Sequence, residues 1–355
     1  MLFVFALFSL LILVLLHELG HFFVAKKYGV KVEELGIGIP PRIFGIKVGE
    51  TLYSLNWLPL GAFVRLEGEE GRKGGSRSFN SRSILQRSLI VAAGVIAFWI
   101  IAVFIFGILG VVSGIPMQVS DDEKGVTDAR VQIVGIAPNS PAEAAGIELG
   151  DFIVEIQGEE LSTVGGIQIS ISERLGETTS FVLQRQGESI ELSLIPRENP
   201  PENEGAIGVA LTRTALVRHS WLQAPYKGVI ISGNLTLTIL KGFGSLITSL
   251  LKGDGMPAGM QVMGPLGIVD TLKDAFSLGI AYYFYFLGLL SIYLAIFNAL
   301  PIPAVDGGRL LFLMIEAVRR KPLPERIEHG TNNIVFVALI IVMIWVTIKD
   351  IIRIF

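Results

Sequence analysis

The sequence predicts a multi-pass α-helical membrane protein with about four transmembrane helices and an inserted α/β domain. The chain of 355 residues is 51% hydrophobic, its mean hydropathy is +0.60, and its charge-free stretches can cross a hydrocarbon core of about 30 Å. Between these stretches, short β-branched runs alternate with turn residues, as in a small folded domain. A net charge of −3 excludes a polybasic nucleic-acid-binding protein. The absence of cysteine excludes disulfides, thiolate metal ligands and a cysteine nucleophile.

Four segments are predicted to cross the membrane, at residues 1–25, 88–113, 275–315 and 331–355. The first follows no basic residues and precedes no small-residue cleavage site, so it is expected to be a retained helix and not a signal peptide. Basic residues concentrate in the loop 26–87 and in the short loop before the last span, which places both loops in the cytoplasm. The chain between the second and third spans is therefore expected outside the cytoplasm.

The apolar stretch 229–251 is a fifth candidate span. Its apolar residues, such as Ile239, and its polar residues, such as Lys241, fall on opposite faces of a helix. This pattern predicts that the region 217–252 is an amphipathic helix lying in the membrane interface. A fifth crossing is the alternative, but it would move the basic loop 319–326 out of the cytoplasm, against the positive-inside rule.

The residues His17-Glu18-Leu19-Gly20-His21 form an HExxH motif at the end of the first apolar run. On a helix the two histidines project from one face, where two imidazoles can bind one Zn²⁺ at about 2.0–2.1 Å. Glu18 is then placed to act as a general base and not as a ligand. The alternative is an ordinary core with buried histidines. It is disfavoured because placing polar residues in hydrocarbon costs roughly several kcal/mol of free energy, so such residues are usually retained only where they have a function.

A catalytic zinc site needs a third protein ligand, and Asp306 is the best candidate. Asp306 follows the third apolar span, on a segment that Pro301 and Pro303 interrupt. Irregular backbone at membrane depth is tolerated where it lines a wet or protein-buried cavity. The predicted zinc ligands are therefore His17, His21 and Asp306. Taken alone, Asp306 could also be an ordinary aspartate that ends a helix at the interface.

The inserted domain is predicted over residues 127–213. Its segment 138–146, with two prolines and a turn glycine, is followed by Leu149-Gly150-Asp151 and resembles the middle of a bacterial PDZ domain. PDZ domains bind extended peptides as an added strand, so this resemblance implies a peptide-binding or size-gating module. A small α/β domain without a ligand is the alternative, because a fold does not fix a function.

Together, the HExxH motif, the inserted domain and the NxxPxPxxDG motif at 298–307 resemble the site-2 protease family of intramembrane zinc metalloproteases. The resemblance is to its bacterial branch, typified by the regulator of sigma-E protease, and covers nearly the whole chain. Two features depart from the family pattern. The second span reads AGVIAF at 93–98 where the family usually has AGPxxN, and one PDZ domain replaces the tandem pair of the best-known members.

The resemblance implies a zinc metalloendopeptidase that hydrolyses peptide bonds in or near transmembrane segments. It implies regulated intramembrane proteolysis in a bacterial inner membrane, of an anti-sigma factor or of remnant signal peptides, with the PDZ domain outside the cytoplasm. The partners would be transmembrane substrates, a peptide or protein at the PDZ domain and the lipid bilayer, and no nucleic acid. Glu18 would be catalytic, and Asn298, Pro301 and Pro303 would bind substrate.

Three alternatives remain open from the residues alone. The chain could be a membrane zinc protease of another family that cuts soluble chains, although the context of Asp306 disfavours it. It could be a membrane-tethered PDZ scaffold with a vestigial metal site. Finally, the alternating segment 52–66 fits equally a membrane-dipping hairpin that pairs with substrate and an ordinary cytoplasmic hairpin.

Overall fold

The computed structural model of the chain describes residues 2–69, 75–123, 126–185, 187–201, 204–253 and 262–354. Residues 70–74 of the predicted loop 26–87 thus lie outside the described part. The chain divides into two compact units. The first, called the helical unit below, comprises Met1–Ile105, Gly228–Lys273 and Leu287–Phe355. The second, called the sheet unit, comprises Phe106–Lys227 and Asp274–Phe286.

The helices, in chain order, are α1 (Leu2–Lys27), α2 (Ile84–Val112), α3 (Pro141–Ala144), α4 (Val164–Ser172), α5 (Ala224–Lys252), α6 (Pro265–Leu278), α7 (Ile280–Ala299), α8 (Asp306–Arg319) and α9 (Glu325–Ile354). The strands are β1 (Val32–Val48), β2 (Thr51–Leu66), β3 (Ile115–Gln118), β4 (Thr127–Ile136), β5 (Phe152–Ile156), β6 (Glu159–Glu160), β7 (Thr179–Arg185), β8 (Glu188–Leu194) and β9 (Val209–Val217).

Five helices in the described part of the chain are long and apolar enough to cross a membrane: α1, α2, α5, α7 and α9. The prediction of several long apolar helices combined with a β-sheet region is confirmed. The fifth candidate, α5, has the lowest mean hydropathy of the set, 1.4 against 1.9 to 3.0 for the others. The length and composition of α5 alone therefore leave open whether it crosses.

The third predicted segment, 275–315, for which Pro301 and Pro303 predict an interruption, comprises several elements in the structure. It contains the end of α6, all of α7, an irregular stretch at 300–305 and most of α8. Gly279, with a φ of 128°, separates α6 from α7. Pro301 and Pro303 end the next helical stretch because proline cannot donate the helical hydrogen bond. The membrane-length helix within this region is α7 alone.

Strands β1 and β2 form a two-stranded sheet with several register shifts. Residues 34–37 of β1 pair on one side with 52–55 and on the other with 62–65. The predicted hairpin at 52–66 is therefore wrong in its pairing, because the two halves of β2 are separated by part of β1. Apolar and polar residues alternate in a similar way in both strands, so the sequence pattern does not show which segments pair.

Helices α1 and α2 pack closely and run antiparallel. His17 lies against Gly94, and one turn later His21 bonds to the carbonyl of Ile90, so the chain directions are opposed. A Cβ on Gly20 would lie 2.6 Å from a backbone oxygen of α2. Small residues at this crossing thus allow the backbones to approach.

Helix α2 also runs antiparallel to α7. The Ser291 hydroxyl of α7 donates to the carbonyl of Phe98 at 2.7 Å. Further along the chain, Glu316 of α8 forms a bidentate ion pair with Arg87 at 2.6 and 3.1 Å, near the start of α2. Because both α1 and α7 oppose α2, they run in the same direction.

The sheet unit contains an antiparallel sheet in the order β3-β9-β4-β5-β7-β8, with β6 paired to β5. Buried side chains such as Ile133, Ile153 and Phe181 form its core. The sheet extends beyond the predicted domain 127–213, because β3 begins at Ile115 and pairs with the end of β9 at Val217. A four-residue strand carries too little alternation to be recognised from sequence.

Candidate metal centre

His17 and His21 of α1 and Asp306 at the start of α8 come together in the structure. One ligand atom from each lies within 4.8 Å of the others. Asp306 Oδ2 is 3.3 Å from His21 Nε2 and 3.5 Å from His17 Nε2, and the two Nε2 atoms are 3.3 Å apart. The helix α1 supplies both histidines from one face, and Asp306 is the first residue of α8. The three predicted ligands thus form one cluster.

A tight turn places Asp306 in this cluster. Ala304 has a φ of 76°, which is rare for a residue with a side chain. A Cβ on Gly307 would lie 2.1 Å from the carbonyl oxygen of Leu300, and one on Gly308 would lie 2.2 Å from the carbonyl oxygen of another residue in the turn. The two glycines are therefore needed for the irregular segment to fold back against the start of α8.

The orientation of His21 is set by the backbone of α2. Its Nδ1 lies 2.9 Å from the carbonyl oxygen of Ile90. Since a carbonyl only accepts, Nδ1 carries the proton and Nε2 presents its lone pair to the cluster. Metal-binding histidines almost always make such a second hydrogen bond, which fixes their tautomer.

The cluster fits a zinc ion on chemical grounds. Asp306 Oδ2 is buried and has no hydrogen-bond partner in the described structure, although two imidazole nitrogens are near. A Cβ on Gly94 would lie 2.2 Å from His21 Nε2 and 2.5 Å from His17 Cε1, so glycine keeps this side open. An unpaired buried carboxylate is costly, whereas two imidazoles and one carboxylate are a known ligand set of catalytic zinc.

Glu18 lies beside the cluster and not within it. Its Oε1 is 3.9 Å from His17 Nε2, and its Oε2 accepts a hydrogen bond of 3.0 Å from the backbone N–H of Val64. Val64 belongs to β2. The glutamate is thus held between the candidate ligands and the edge of the β1–β2 sheet.

A cavity of about 170 Å³ adjoins the cluster. Its walls come from α1, the end of β2, the start of α2 and the start of α8. The lining residues are Glu18, His21, Phe63, Val64, Leu66, Glu69, Ile90, Val91, Asp306 and Arg309. Arg309 and Glu69 form an ion pair on this wall. The cavity therefore combines an apolar strand edge with charged groups close to the candidate ligands.

Other predicted site residues do not line this cavity. The Asn298 side chain donates to the carbonyl of Leu294 at 2.9 Å, within its own helix. Pro301 and Pro303 lie in the irregular segment that follows α7. Their proposed contact with substrate stays a prediction.

The sequence analysis did not identify several residues that adjoin the histidine cluster or line the cavity. Gly94 is one glycine in an apolar helix, and nothing in the pattern shows that it faces two imidazoles. Glu69 and Arg309 could have been noticed, because an arginine directly after the DGG motif and a membrane span is a costly residue that usually has a partner.

The chain is similar to known zinc metalloproteases over almost its whole length. The model of Peptidase family M50 matches residues 5–342. An inferred zinc metalloprotease of Clostridium perfringens (strain 13 / Type A) is 33% identical over 98% of both chains. The regulator of sigma-W protease RasP of Bacillus subtilis (strain 168) is 28% identical over 97% of this chain and 96% of its own.

A solved PDZ domain of an SdrC-like protein from Listeria innocua matches 23% of this chain and 92% of its own, at 20% identity and a TM-score of 0.21. That likeness is too slight to define the fold of the sheet unit. The family match, in contrast, spans almost the whole chain. It confirms the resemblance drawn from the motifs: the chain is a zinc metalloendopeptidase that belongs to Peptidase family M50.

Proposed function

We propose that the chain is an intramembrane protease in which His17, His21 and Asp306 bind the zinc ion and Glu18 is the general base. This proposal rests on one observation: the four side chains lie close together, next to helices that are long and apolar enough to cross a membrane. Its substrates are transmembrane proteins, including membrane-anchored anti-sigma factors. The relative named for the regulation of sigma-W supports that substrate class.

The chemistry divides between the ion and the protein. A zinc ion held by His17, His21 and Asp306 would supply Lewis-acid activation of water and stabilisation of negative charge on the carbonyl oxygen. Glu18 accepts the proton of the attacking water and passes it to the nitrogen of the leaving amine as the peptide bond breaks. The Val64 N–H holds the Glu18 carboxylate in place for both transfers.

Substrate would bind as an added strand at the edge of the β1–β2 sheet. Residues 62–65 pair with 34–37 on one side, and in the described part of the chain no strand pairs with their other side. On that free side, the backbone N–H of Val64 donates to the Glu18 carboxylate. A transmembrane helix hides its carbonyls in i to i−4 bonds, so it must unwind before hydrolysis. An open strand edge would hold the unwound segment.

The β1–β2 sheet itself supports a membrane-dipping role over an ordinary cytoplasmic one. Large apolar side chains on its surface are exposed, and they include Ile43, Phe44 and Trp57. Trp57 is 68% exposed, and tryptophan is enriched at membrane interfaces. Such a surface would be unfavourable in water and favourable against lipid.

Helix α5 does not make a net crossing in this proposal. Because α1 and α7 run in the same direction, the number of crossings between α2 and α7 must be even. A return crossing would need a second span, and α6, with 14 residues, is only about 21 Å long. The Trp99 indole donates to the Thr236 hydroxyl of α5 at 3.3 Å, so α5 lies beside α2. We assign it to the outer part of the membrane as an amphipathic helix, which leaves four crossings in the bacterial inner membrane.

Cysteine labelling tests this topology, because the chain contains no native cysteine. Ser76→Cys and Gly330→Cys are expected to resist a membrane-impermeant thiol reagent in intact cells, whereas Ser172→Cys, on the exposed side of α4, is expected to react. Permeabilised cells serve as the control, in which all three react. Labelling of Gly330→Cys from outside would indicate a fifth crossing.

Zinc content tests the ligand assignment. His17→Ala, His21→Ala and Asp306→Ala are each expected to lose most of the bound zinc, because two remaining ligands hold the ion poorly. The measurement is metal per protein in purified, detergent-solubilised samples. Asn298→Ala is the matched control and should keep its zinc. Full zinc occupancy in Asp306→Ala would refute the third ligand.

We propose that the sheet unit contains a PDZ domain that lies outside the cytoplasm and restricts access to the protease. The candidate catalytic residues and zinc ligands lie outside residues 127–213, so the domain performs no chemistry. A folded domain at the membrane can exclude substrates with bulky extracytoplasmic parts until another protease shortens them. Peptide binding by strand addition would be its second use.

A deletion tests the filter. Ile115 and Val217 are paired neighbours across the β3–β9 ladder, so a short glycine-serine linker can replace 115–217 without strain. The shortened protein is expected to bind zinc normally and to cleave untrimmed substrate that the full chain rejects. If instead it fails to cleave a trimmed substrate while its zinc content is unchanged, the domain presents substrate and does not filter it.

A further inference from the structure

The two histidines are oriented in different ways. His21 has its Nδ1 bonded to a backbone carbonyl at 2.9 Å. His17 Nδ1 is buried and forms no hydrogen bond of standard geometry, although the backbone of Gly94 lies beside the imidazole. The hydrogen bond that normally fixes a histidine ligand is therefore weaker at His17 than at His21.

An aromatic ring provides a second restraint on the His17 imidazole. The ring of Phe98 stacks on the His17 imidazole, with centroids 4.4 Å apart and an interplanar angle of 19°. Phe98 is 2% exposed, so its ring has no solvent to move into. Because χ2 of histidine has a broad, soft torsional profile, a flat surface against the ring restricts its rotation.

The position of Phe98 is itself fixed. It lies one turn after Gly94 on α2, and this spacing puts both residues on the face towards α1. The fully buried Ser291 of α7 donates to the Phe98 carbonyl at 2.7 Å. A packed helix and a buried hydrogen bond thus hold the phenyl ring against the imidazole.

We propose that Phe98 is a positioning residue that holds the His17 imidazole in the orientation needed to bind zinc. The proposal rests on the role of His17 as a ligand. A phenyl ring cannot form a hydrogen bond with the imidazole, so Phe98 acts by packing alone. The hydrogen bond to Ile90 thus orients His21, whereas stacking on Phe98 adds to the orientation of His17.

The test compares three variants by zinc affinity, from competition with a chelator, and by the visible absorption of the cobalt-substituted protein. Phe98→Leu keeps an apolar side chain but removes the flat face. It is expected to weaken zinc binding by about 10- to 100-fold, the usual effect of losing a residue that orients a metal ligand, and to alter the cobalt spectrum. Phe98→Tyr keeps the ring and is expected to retain the affinity and spectrum of the parent protein.

Phe106→Leu is the matched control, because Phe106 is an equally buried phenylalanine of α2 that stacks on no ligand. It should keep zinc affinity and spectrum. Equal losses in Phe98→Leu and Phe106→Leu, or no loss in Phe98→Leu, would overturn the proposal. His17→Ala separates the two hypotheses: if it keeps zinc, the ligand assignment fails, and if it loses zinc while Phe98→Leu does not, only the role of Phe98 fails.

Discussion

Glu18→Gln is expected to abolish peptide-bond hydrolysis while the protein keeps its zinc. Glutamine has the same shape, and its amide oxygen can still accept the Val64 N–H that Glu18 accepts at 3.0 Å, but it cannot take a proton from water. Loss of a general base costs about 10²- to 10⁴-fold in rate. The zinc should remain because Glu18 is outside the cluster of candidate ligands.

The measurement is cleavage of a purified transmembrane reporter in detergent or liposomes, with zinc content determined on the same sample. Glu188→Gln provides a matched control, since Glu188 is an exposed carboxylate on β8 in the sheet unit, which contains none of the candidate ligands. It should cleave at the parent rate. A Glu18→Gln protein that retains a large part of the activity would assign the proton transfer to another group. One that loses zinc as fully as His17→Ala would make Glu18 a ligand.

The sequence places the two candidate histidine ligands together by local geometry. His17 and His21 are one helical turn apart, so helix geometry alone places them on one face. Asp306 is distant from both histidines in sequence. It is nevertheless recognised as the candidate third ligand because proline interrupts the helix near it, at Pro301, and because an acidic residue at membrane depth is costly. In both cases the chemistry of the residue and its immediate neighbours carry the information.

The pairing of strands and the side of a helix that contacts its neighbour cannot be predicted in the same way. The two halves of β2 look like a hairpin because both alternate, but the register is decided by β1, which lies between them. Similarly, α2 reads as a uniformly apolar helix. Only the packing of α1 against it shows that Gly94 and Phe98 touch the histidines. These features depend on contacts between distant segments, which a single sequence does not record.

The topology shows the same distinction between local pattern and distant contact. From sequence, α5 is either an interfacial helix or a fifth span, and its length and hydropathy fit both. The contact of Asp306 with His21 requires α7 to end on the side of the membrane where α1 ends. A single distance of 3.3 Å thus constrains the number of crossings more strongly than the composition of α5 does.

Gly94→Ala is expected to remove zinc binding and activity together without unfolding the helices. The added Cβ would lie 2.2 Å from His21 Nε2 and 2.5 Å from His17 Cε1, closer than any allowed contact. Neither ring can move aside at low cost, because the carbonyl of Ile90 anchors His21 and Phe98 packs against His17.

Overpacking of this kind costs about 1–3 kcal/mol, and alanine returns up to about 1 kcal/mol of helix propensity relative to glycine. The global fold should therefore survive while the ligand geometry is lost. Circular dichroism and thermal unfolding report the fold, and metal analysis reports the site. Gly244→Ala in α5 is the matched control, because nothing lies within 4 Å of its added Cβ, and it should keep both zinc and activity. A Gly94→Ala protein with normal zinc content would mean that the histidines are not held against α2 as the structure shows.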